Sequence, residues 1–306
     1  MRSALLLLLV ACSTSSPRSE WATPRDTCLV LSVGGPKGVA HIGAIQAVKD
    51  AGIEVDCVFG NSMGSLVGAI YAAEPEGDVN ARFLALLAAY EEETRTVAGE
   101  RAGVGGLLGL LTAPFTGGAS LVAAGVGAVA GAATTRRLDH ARMIEVLDRE
   151  LSAAAIETLP LRYATSHLAA TEAGIELTIS TEGNLAAAVG ASVANPLIFS
   201  ELDVRETHQI DPGVDRVSAT PIEDACAQFS GARMLAINVA GAPAFTSAAM
   251  NCPVREVQVE LGAVDAASIL AEPGGEEYLR VVREGYIATC EALSVRDCAA
   301  KAAAHF

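Results

Sequence analysis

A serine between two glycines is the residue of this sequence best suited to covalent chemistry. Residues 60–64 read Gly-Asn-Ser-Met-Gly, the pattern G-x-S-x-G, and they lie between two short apolar runs. Between a strand and a helix this pattern is typical of a nucleophilic serine, because glycines at 60 and 64 let the backbone double back and expose the hydroxyl of Ser62. Asn61 or Ser62 could instead only cap the helix. The context favours Ser62 as a nucleophile, supported by Gly60 and Gly64.

A second glycine-rich turn lies about two dozen residues upstream, between an apolar run and a helical pattern. Residues 34–38 read Gly-Gly-Pro-Lys-Gly, and such a turn could cradle a phosphate. The dinucleotide-binding spacing G-x-G-x-x-G is absent, however, and no acidic residue ends the next strand where a ribose would bind. We therefore expect the turn to present backbone N–H donors to a substrate carbonyl oxygen. The predicted donors of this oxyanion hole are Gly34, Gly35, Lys37 and Gly38.

These two motifs together resemble those of the patatin-like phospholipases. The first block of that family, G-G-G-x-[RK]-G, is matched by residues 33–38 with Val33 in place of the first glycine, and the second, G-x-S-x-G, by residues 60–64. The resemblance extends over roughly residues 28–225. It implies an α/β fold, a three-layer sandwich around a mostly parallel central sheet. It also implies a lipid acyl hydrolase that uses a serine/aspartate dyad and neither metal nor cofactor, with phospholipid or another acyl ester as substrate.

The resemblance points to Asp211 as the base of the dyad, at the end of a strand predicted at 204–210. Asp211-Pro212-Gly213 stands where the family has D-G-[GA], so that Gly213 matches the last position of that block. A carboxylate at a strand end can accept a serine proton directly when burial lifts its pKa towards neutrality. The alternative is that these residues form only a turn.

Two departures from the family pattern bear on activity. Pro212 replaces a glycine and removes one backbone donor, and Val33 replaces another glycine. They suggest a second hypothesis, a catalytically weak or inactive envelope lipoprotein that keeps the fold and binds lipid or a protein partner. An intact Ser62–Asp211 contact would favour the enzyme, whereas a carboxylate turned away from the serine would favour the binding protein.

The other candidate residues are a second serine and the histidines. Residues 191–196 match the A-S-x-x-x-P segment that supports the active site in the patatin-like family, and the serine of this segment is Ser192. It lacks flanking glycines and a preceding strand, so we interpret it as structural. An α/β-hydrolase triad requires a histidine after the acidic residue, but His305 alone follows Asp211, in an alanine-rich tail. A triad is therefore not expected.

The N-terminus has the pattern of an export signal. A charged start is followed by an apolar run at 4–11, which is too short to span a bilayer, and then by Cys12. Leu-Val-Ala-Cys at 9–12 resembles a bacterial lipobox, with cleavage before Cys12 and lipid attached to it; the alternative is an ordinary signal peptide. We predict a signal peptide at 1–11, a lipidated tether at 12–27, and a membrane-anchored protein of the cell envelope, on its periplasmic or outer face.

The composition favours one large globular α/β domain. The sequence is 51% hydrophobic, 19% charged and carries a net charge of −15. Nucleic acid is an unlikely class of partner, because phosphate contacts need a basic surface. We expect residues 28–225 to form the hydrolase core and residues 226–306 to complete the same domain with strands and a closing helix.

A charge-free segment interrupts the core. Residues 102–135 contain no Asp, Glu, Lys or Arg and are rich in glycine and alanine. Three interpretations stay open: an apolar cover over the active site, which we favour, a hairpin buried on the protein, and a segment inserted in the membrane.

Six cysteines follow Cys12, an even number that permits up to three disulfides in an exported protein. Cys28 and Cys57 begin strands that should be neighbours, so a bridge between them is conceivable, with free buried thiols as the alternative. No cysteine or histidine spacing indicates a zinc site.

Overall fold

The computed structural model describes residues 26–98, 139–171, 174–195, 203–204, 207–214, 219–241 and 250–306. In these ranges the chain forms an eight-stranded sheet with helices packed on both faces. The strands are β1 (Thr27–Leu31), β2 (Cys57–Gly60), β3 (Arg162–Thr171), β4 (Gly174–Ser180), β5 (Asp203–Val204), β6 (Thr207–Ile210), β7 (Arg233–Asn238) and β8 (Val254–Gln258). The helices are α1 (Ala40–Asp50), α2 (Met63–Ala73), α3 (Val79–Ala98), α4 (His140–Glu150), α5 (Leu185–Ser192), α6 (Ile222–Gln228), α7 (Ala266–Ala271), α8 (Glu276–Ala292) and α9 (Cys298–His305).

The centre of the sheet is parallel. Strands β3, β2, β1, β7 and β8 are neighbours in that order, and each pair among them is parallel. Strands β4, β5 and β6 pair antiparallel with their partners. Strands β1 and β2 are buried along their whole length, as expected where helices cover both faces of parallel strands. The prediction of an α/β fold with a mostly parallel central sheet is confirmed.

Strand β3 brings two distant parts of the chain together. Thr165 pairs with Gly60 of β2 and with Ser180 of β4, so β2 and β4 lie on opposite sides of β3. Leu168 pairs with β4 and with Ile210, so β6 also lies opposite β4, on the same side as β2. Since β2 is parallel and β6 antiparallel to β3, the two strands run towards each other along one side of it. The residues that follow them therefore meet.

The alternation of side chains along the central strands produces two apolar layers. Cys28, Val30 and Phe59 are among the residues on one face, where they pack in a cluster that includes residues of α6. Leu29 and Val58 lie on the other face, in the larger cluster that includes residues of α1, α2, α5 and α8. Each large aliphatic side chain buried in this way contributes roughly 1.5–3 kcal/mol. The core thus fixes the ends of β1 and β2, from which the site is built.

Helices α1 and α8 cross at a pair of glycines. A Cβ atom added to Gly43 would lie 1.9 Å from the carbonyl oxygen of Val282, and one added to Gly285 would lie 2.0 Å from the carbonyl oxygen of Ala40. Both obstacles are backbone atoms, so a side chain cannot be accommodated by a rotamer change. The close crossing holds α1, and with it the end of the glycine-rich turn, against α8.

We expect Gly285→Ala to lower the free energy of unfolding by about 3 kcal/mol or more, because the added methyl group must push the two helix backbones apart. Urea denaturation of the variant and the wild type would measure the change. Gly262→Ala is the matched control, since nothing lies within 4 Å of a Cβ atom there. Equal stabilities of the Gly285 and Gly262 variants would contradict the tight crossing.

Three disulfides join the cysteines that follow Cys12. The bonded pairs are Cys28–Cys57, Cys226–Cys252 and Cys290–Cys298. The first pair links residues that are directly opposite each other in β1 and β2. Of the two possibilities that the sequence left open for this pair, a disulfide and free buried thiols, the structure has the disulfide.

The elements differ from the predicted ones at several places. The single strand predicted at 204–210 is wrong, because β5 and β6 are separate strands that pair with each other as a hairpin. The apolar pattern of residues 78–93 predicts a helix over that range, and helix α3 extends beyond it, to Ala98. The alternating pattern of residues 161–168 and 174–180 predicts a hairpin, which β3 and β4 form. The predicted closing helix is present as α8.

Several predictions concern parts of the chain outside the described residues. These are the signal peptide, the lipidated Cys12, most of the tether, the charge-free segment 102–135 and Pro196 of the A-S-x-x-x-P segment. Among the helices that are described, none combines the length and the apolar character needed to cross a bilayer.

Candidate active site

Ser62 occupies a sharp turn between β2 and α2. Its backbone has φ 51° and ψ −124°, a positive φ that non-glycine residues rarely adopt. A Cβ atom on Gly60 would lie 2.3 Å from the carbonyl oxygen of Gly64, and one on Gly64 would lie 2.5 Å from that of Ser32. Both glycines of the motif are therefore required sterically, because the turn folds back on itself and on the end of β1. A turn of this kind, between a strand and a helix, exposes a serine hydroxyl so that it can attack a substrate.

The hydroxyl of Ser62 meets the carboxylate of Asp211. Ser62 Oγ donates to Asp211 Oδ2 at 2.6 Å, although 149 residues separate the two in the sequence. The other carboxylate oxygen, Oδ1, accepts from the N–H of Gly213 at 2.7 Å. Because Pro212 has no N–H, the donor that orients the carboxylate comes from the next residue, Gly213. The sequence motifs around Ser62 and Asp211 are thus brought together by β2 and β6.

The Asp211 carboxyl group is buried, and burial alters its pKa. The side chain is 3% exposed, and burial raises its pKa from an ordinary 3.8 to about 6. The hydrogen bonds from Ser62 and Gly213 act in the opposite direction, since they stabilise the ionised carboxylate. A carboxylate in this state is ionised at neutral pH and still basic enough to accept a proton from a hydroxyl that attacks an ester. The pair can therefore act as nucleophile and general base without a third residue.

The glycine-rich turn lies beside the serine turn. A short 3-10 helix at Gly35–Val39 follows β1, and Gly35 has a positive φ of 49°. A Cβ atom on Gly38 would lie 2.5 Å from Cβ of Met63, the residue after the nucleophile. One on Gly34 would lie 2.6 Å from Cγ2 of Val239, just beyond β7. The absence of side chains at these positions lets the turn approach the start of α2 closely.

The predicted oxyanion donors are not equivalent. The N–H of Lys37, one of the predicted donors, donates to the carbonyl oxygen of Gly34 at 3.0 Å. This bond closes the 3-10 turn, and it uses the donor that a substrate would need. Within the described part of the chain, the N–H groups of Gly34 and Gly35 have no acceptor. All four donors stay predictions, and Gly34 and Gly35 are favoured because their N–H groups are not used within the turn.

A buried histidine ties the two ends of the glycine-rich turn together. His41, at the start of α1, has Nε2 2.9 Å from the carbonyl oxygen of Ser32, at the end of β1. Burial lowers its pKa to about 4, so the ring is neutral at physiological pH. His41 therefore contributes a structural hydrogen bond. His305, the sole histidine after Asp211 in the sequence, has Nε2 2.8 Å from Asp50 Oδ2, in contact with α1.

Sequence reasoning missed two contacts around the nucleophile. Ser192 Oγ accepts from the N–H of Ser62 at 2.9 Å, and Asn61 Oδ1 accepts from Ser166 Oγ at 2.8 Å. Asn61 is the second residue of G-x-S-x-G and Ser192 is the serine of the A-S-x-x-x-P segment, so each lay in a recognised motif. Neither motif indicates which atom the side chain contacts.

The fold and the turn place the chain among α/β proteins that carry a serine between a strand and a helix. The sequence model described as patatin-like phospholipase matches residues 29–225, well over half of the chain. The chain therefore belongs to the patatin-like phospholipase family.

Similarity to individual proteins is more limited. Over 62 residues the chain is 45% identical to "Neuropathy target esterase sws" of Drosophila melanogaster and 44% identical to the protein of the same name from Drosophila persimilis. These stretches represent 20% of this chain and 4% of either relative, so the similarity concerns one segment of much longer proteins.

Two solved structures show weak similarity to this chain. VipD from Legionella pneumophila has a TM-score of 0.43 at 13% identity, over 89% of this chain and 67% of that one. The type III effector protein ExoU, of Pseudomonas aeruginosa, has a TM-score of 0.40 at 15% identity, over 89% of this chain and 53% of that one. Both scores lie below 0.5 and both identities below 25%, so the likeness is weak.

Proposed function

We propose that this protein is a lipid acyl hydrolase of the phospholipase A, lysophospholipase or esterase type, which cleaves acyl esters at a membrane surface with Ser62 and Asp211. The observation that carries the proposal is the 2.6 Å hydrogen bond from Ser62 Oγ to Asp211 Oδ2, in a buried site. Membership of the patatin-like phospholipase family supports an ester of a fatty acid as the substrate class.

In the first half of the reaction Ser62 Oγ attacks the ester carbonyl carbon while Asp211 takes the hydroxyl proton. The carbonyl oxygen becomes an oxyanion, which accepts hydrogen bonds from the N–H groups of Gly34 and Gly35, with Gly38 adjacent. Preorganised donors of this kind are worth about 3 kcal/mol each in the transition state. When the bond to the alcohol breaks, Asp211 returns the proton to the leaving oxygen. The products are the alcohol, a lysophospholipid for example, and an acyl ester on Ser62.

In the second half a water molecule attacks the acyl ester. Asp211 accepts a proton from the water, the tetrahedral intermediate uses the same donors, and Ser62 recovers its proton as the fatty acid leaves. Both halves need the same base in the same place. The direct hydrogen bond between the two side chains meets this requirement, with no histidine between them.

We also propose that the protein acts in an extracytoplasmic compartment, held on a membrane by lipid on Cys12. The three disulfides support this location, because such bonds persist in oxidising compartments. Two acyl chains or more give stable anchoring, at roughly 0.8 kcal/mol for each buried CH₂. The anchor would keep an acidic protein close to its substrate without electrostatic attraction to anionic lipids.

The test of the proposed function is fatty-acid release from a defined lipid. We expect the full chain to release fatty acid from phosphatidylcholine in mixed micelles and from a soluble p-nitrophenyl ester, and Ser62→Ala to release none from either. Ser152→Ala, a change of the same type at an exposed serine, is the control and should match the wild type. A folded wild type that cleaves neither substrate but binds the micelles would favour the lipid-binding alternative.

A further inference from the structure

Both backbone N–H groups of the dyad are held by one short stretch of chain, residues 192–194, which we call the dyad mount. Ser192 Oγ accepts from the N–H of Ser62 at 2.9 Å. The carbonyl oxygen of Ala194 accepts from the N–H of Asp211, also at 2.9 Å. The dyad residues come from the ends of β2 and β6, so the mount connects two segments that have no covalent link nearby.

The hydrogen bond to Ser192 Oγ is made by a residue, Ser62, whose backbone conformation is strained. Ser62 has a positive φ, and residues held in this way depend on surrounding bonds to keep the conformation. Its N–H is buried with the rest of the residue, and Ser192 is fully buried. If the Ser192 hydroxyl were lost, the N–H of Ser62 would lack an acceptor, and the turn would be free to relax.

The helix that carries the mount is itself firmly fixed. Helix α5 begins at an N-cap, where the Asn184 side chain accepts from the N–H of Ala187. Near its end, His140 Nε2 lies 2.8 Å from the carbonyl oxygen of Gly190, and a Cβ atom on Gly190 would lie 2.4 Å from Ile144 Cγ1. The helix is therefore anchored at its start and pressed against α4 at its end, so that the mount has little freedom to shift.

We propose that Ser192 is a positioning residue, which together with the Ala194 carbonyl sets the separation between Ser62 Oγ and Asp211 Oδ2. The inference rests on the proposed function of the dyad. Ser192 takes no part in the bonds that are made or broken. It acts through the Ser62 backbone, and its effect is the length and direction of the Ser62–Asp211 hydrogen bond.

Ser65 provides a matched control. It is fully buried, lies in α2 three residues after the nucleophile, and its hydroxyl is 2.9 Å from the hydroxyl of Tyr163. Ser192→Ala and Ser65→Ala each remove one buried hydroxyl that makes a hydrogen bond. The change at Ser192 alone releases the N–H of Ser62.

The experiment compares the full-length wild type, Ser192→Ala, Ser192→Cys and Ser65→Ala. The rate constant for labelling by a fluorophosphonate is measured from pH 4 to 9, and the melting temperature is recorded for each variant. We expect Ser192→Ala to label about 10- to 100-fold more slowly, because a small misplacement of a reacting group has effects of this size. We also expect its pH midpoint to move upward, because a weaker bond from Ser62 no longer holds down the pKa of Asp211.

Ser65→Ala should melt lower but label within about threefold of the wild type, with the same midpoint. Ser192→Cys replaces the hydroxyl with a somewhat larger thiol, which is a weaker acceptor, and should shift rate and midpoint in the same direction even if Ser192→Ala does not fold. Equal rates and midpoints for the Ser192 and Ser65 variants, with a labelled wild type, would overturn this inference alone. An unlabelled, folded wild type would overturn the proposed function and this inference with it.

Discussion

Ser62→Ala should abolish ester hydrolysis, with kcat/KM lower by about 10⁵-fold or more, because removing a nucleophile removes the covalent route. The substitution deletes one oxygen atom at a buried turn and leaves both flanking glycines in place, so the fold should persist. Initial rates on a p-nitrophenyl ester, with circular dichroism to verify folding, would measure the effect. A folded variant that keeps a tenth of the wild-type rate would rule out Ser62 as the nucleophile.

Asp211→Asn tests the base separately. We expect kcat to fall by about 10³- to 10⁴-fold, since general-base assistance contributes effects of this size. The Asn side chain can still accept from Gly213 through its oxygen, but its NH₂ group would then donate to Ser62 Oγ and leave no acceptor for the proton. Asp56→Asn is the control, because the Asp56 carboxylate is exposed and accepts from the N–H of Thr27. Equal activities of the two variants would assign the base elsewhere.

The pH dependence of the rate should follow the ionisation of Asp211. The base is active when ionised, and burial raises its pKa to about 6. The rate should therefore be constant above about pH 7 and fall about tenfold for each pH unit well below 6. A profile of kcat/KM from pH 4 to 9 measures this. A midpoint near 4 would mean that the carboxylate that acts as base is not buried.

The raised pKa of Asp211 should also affect the stability of the protein. Stability should fall as pH rises, whereas the reaction rate should increase. The folded state holds the Asp211 proton more tightly than the unfolded state, so this group's contribution to stability falls as pH rises from about 4 to 6. At pH 7.5 we expect Asp211→Asn to raise the free energy of unfolding by about 2 kcal/mol, a gain that disappears near pH 4. Urea denaturation at both pH values tests this. A variant that is less stable than the wild type at pH 7.5 would show that the buried Asp211 carboxylate does not destabilise the fold.

The sequence predicted the local parts of the site because their geometry depends on neighbouring residues. The G-x-S-x-G turn consists of residues 60–64. The backbone path of these five residues requires glycine at 60 and 64, on either side of Ser62. The hydrogen bond of the Lys37 N–H is local too, but the sequence did not predict it. Four of the neighbours of Lys37 are glycine or proline, so the direction of each N–H in the turn depends on a 3-10 hydrogen bond that spacing alone does not reveal.

The contact between Ser62 and Asp211 could not be predicted from spacing, because it depends on the pairing of β3. Strands β2 and β6 both pair with β3 on the same side. The short β5–β6 hairpin could not be recognised from the hydrophobic pattern. The resemblance to a family supplied Asp211 as a candidate, and the strand register supplies the physical reason for the contact. The role of Ser192 was the hardest to predict from the sequence. Its side chain bonds to a backbone atom, the N–H of Ser62, which is 130 residues away in the sequence.

The most direct test of the Ser62–Asp211 dyad is to locate the adduct of a fluorophosphonate on the full-length protein by peptide mass spectrometry. We expect one adduct, on Ser62, that is absent in Ser62→Ala and formed far more slowly in Asp211→Asn. An adduct on Ser192 or another serine, or none on a folded wild type, would contradict it. With no adduct, the hypothesis that this member of the family binds lipid without cleaving it would take its place.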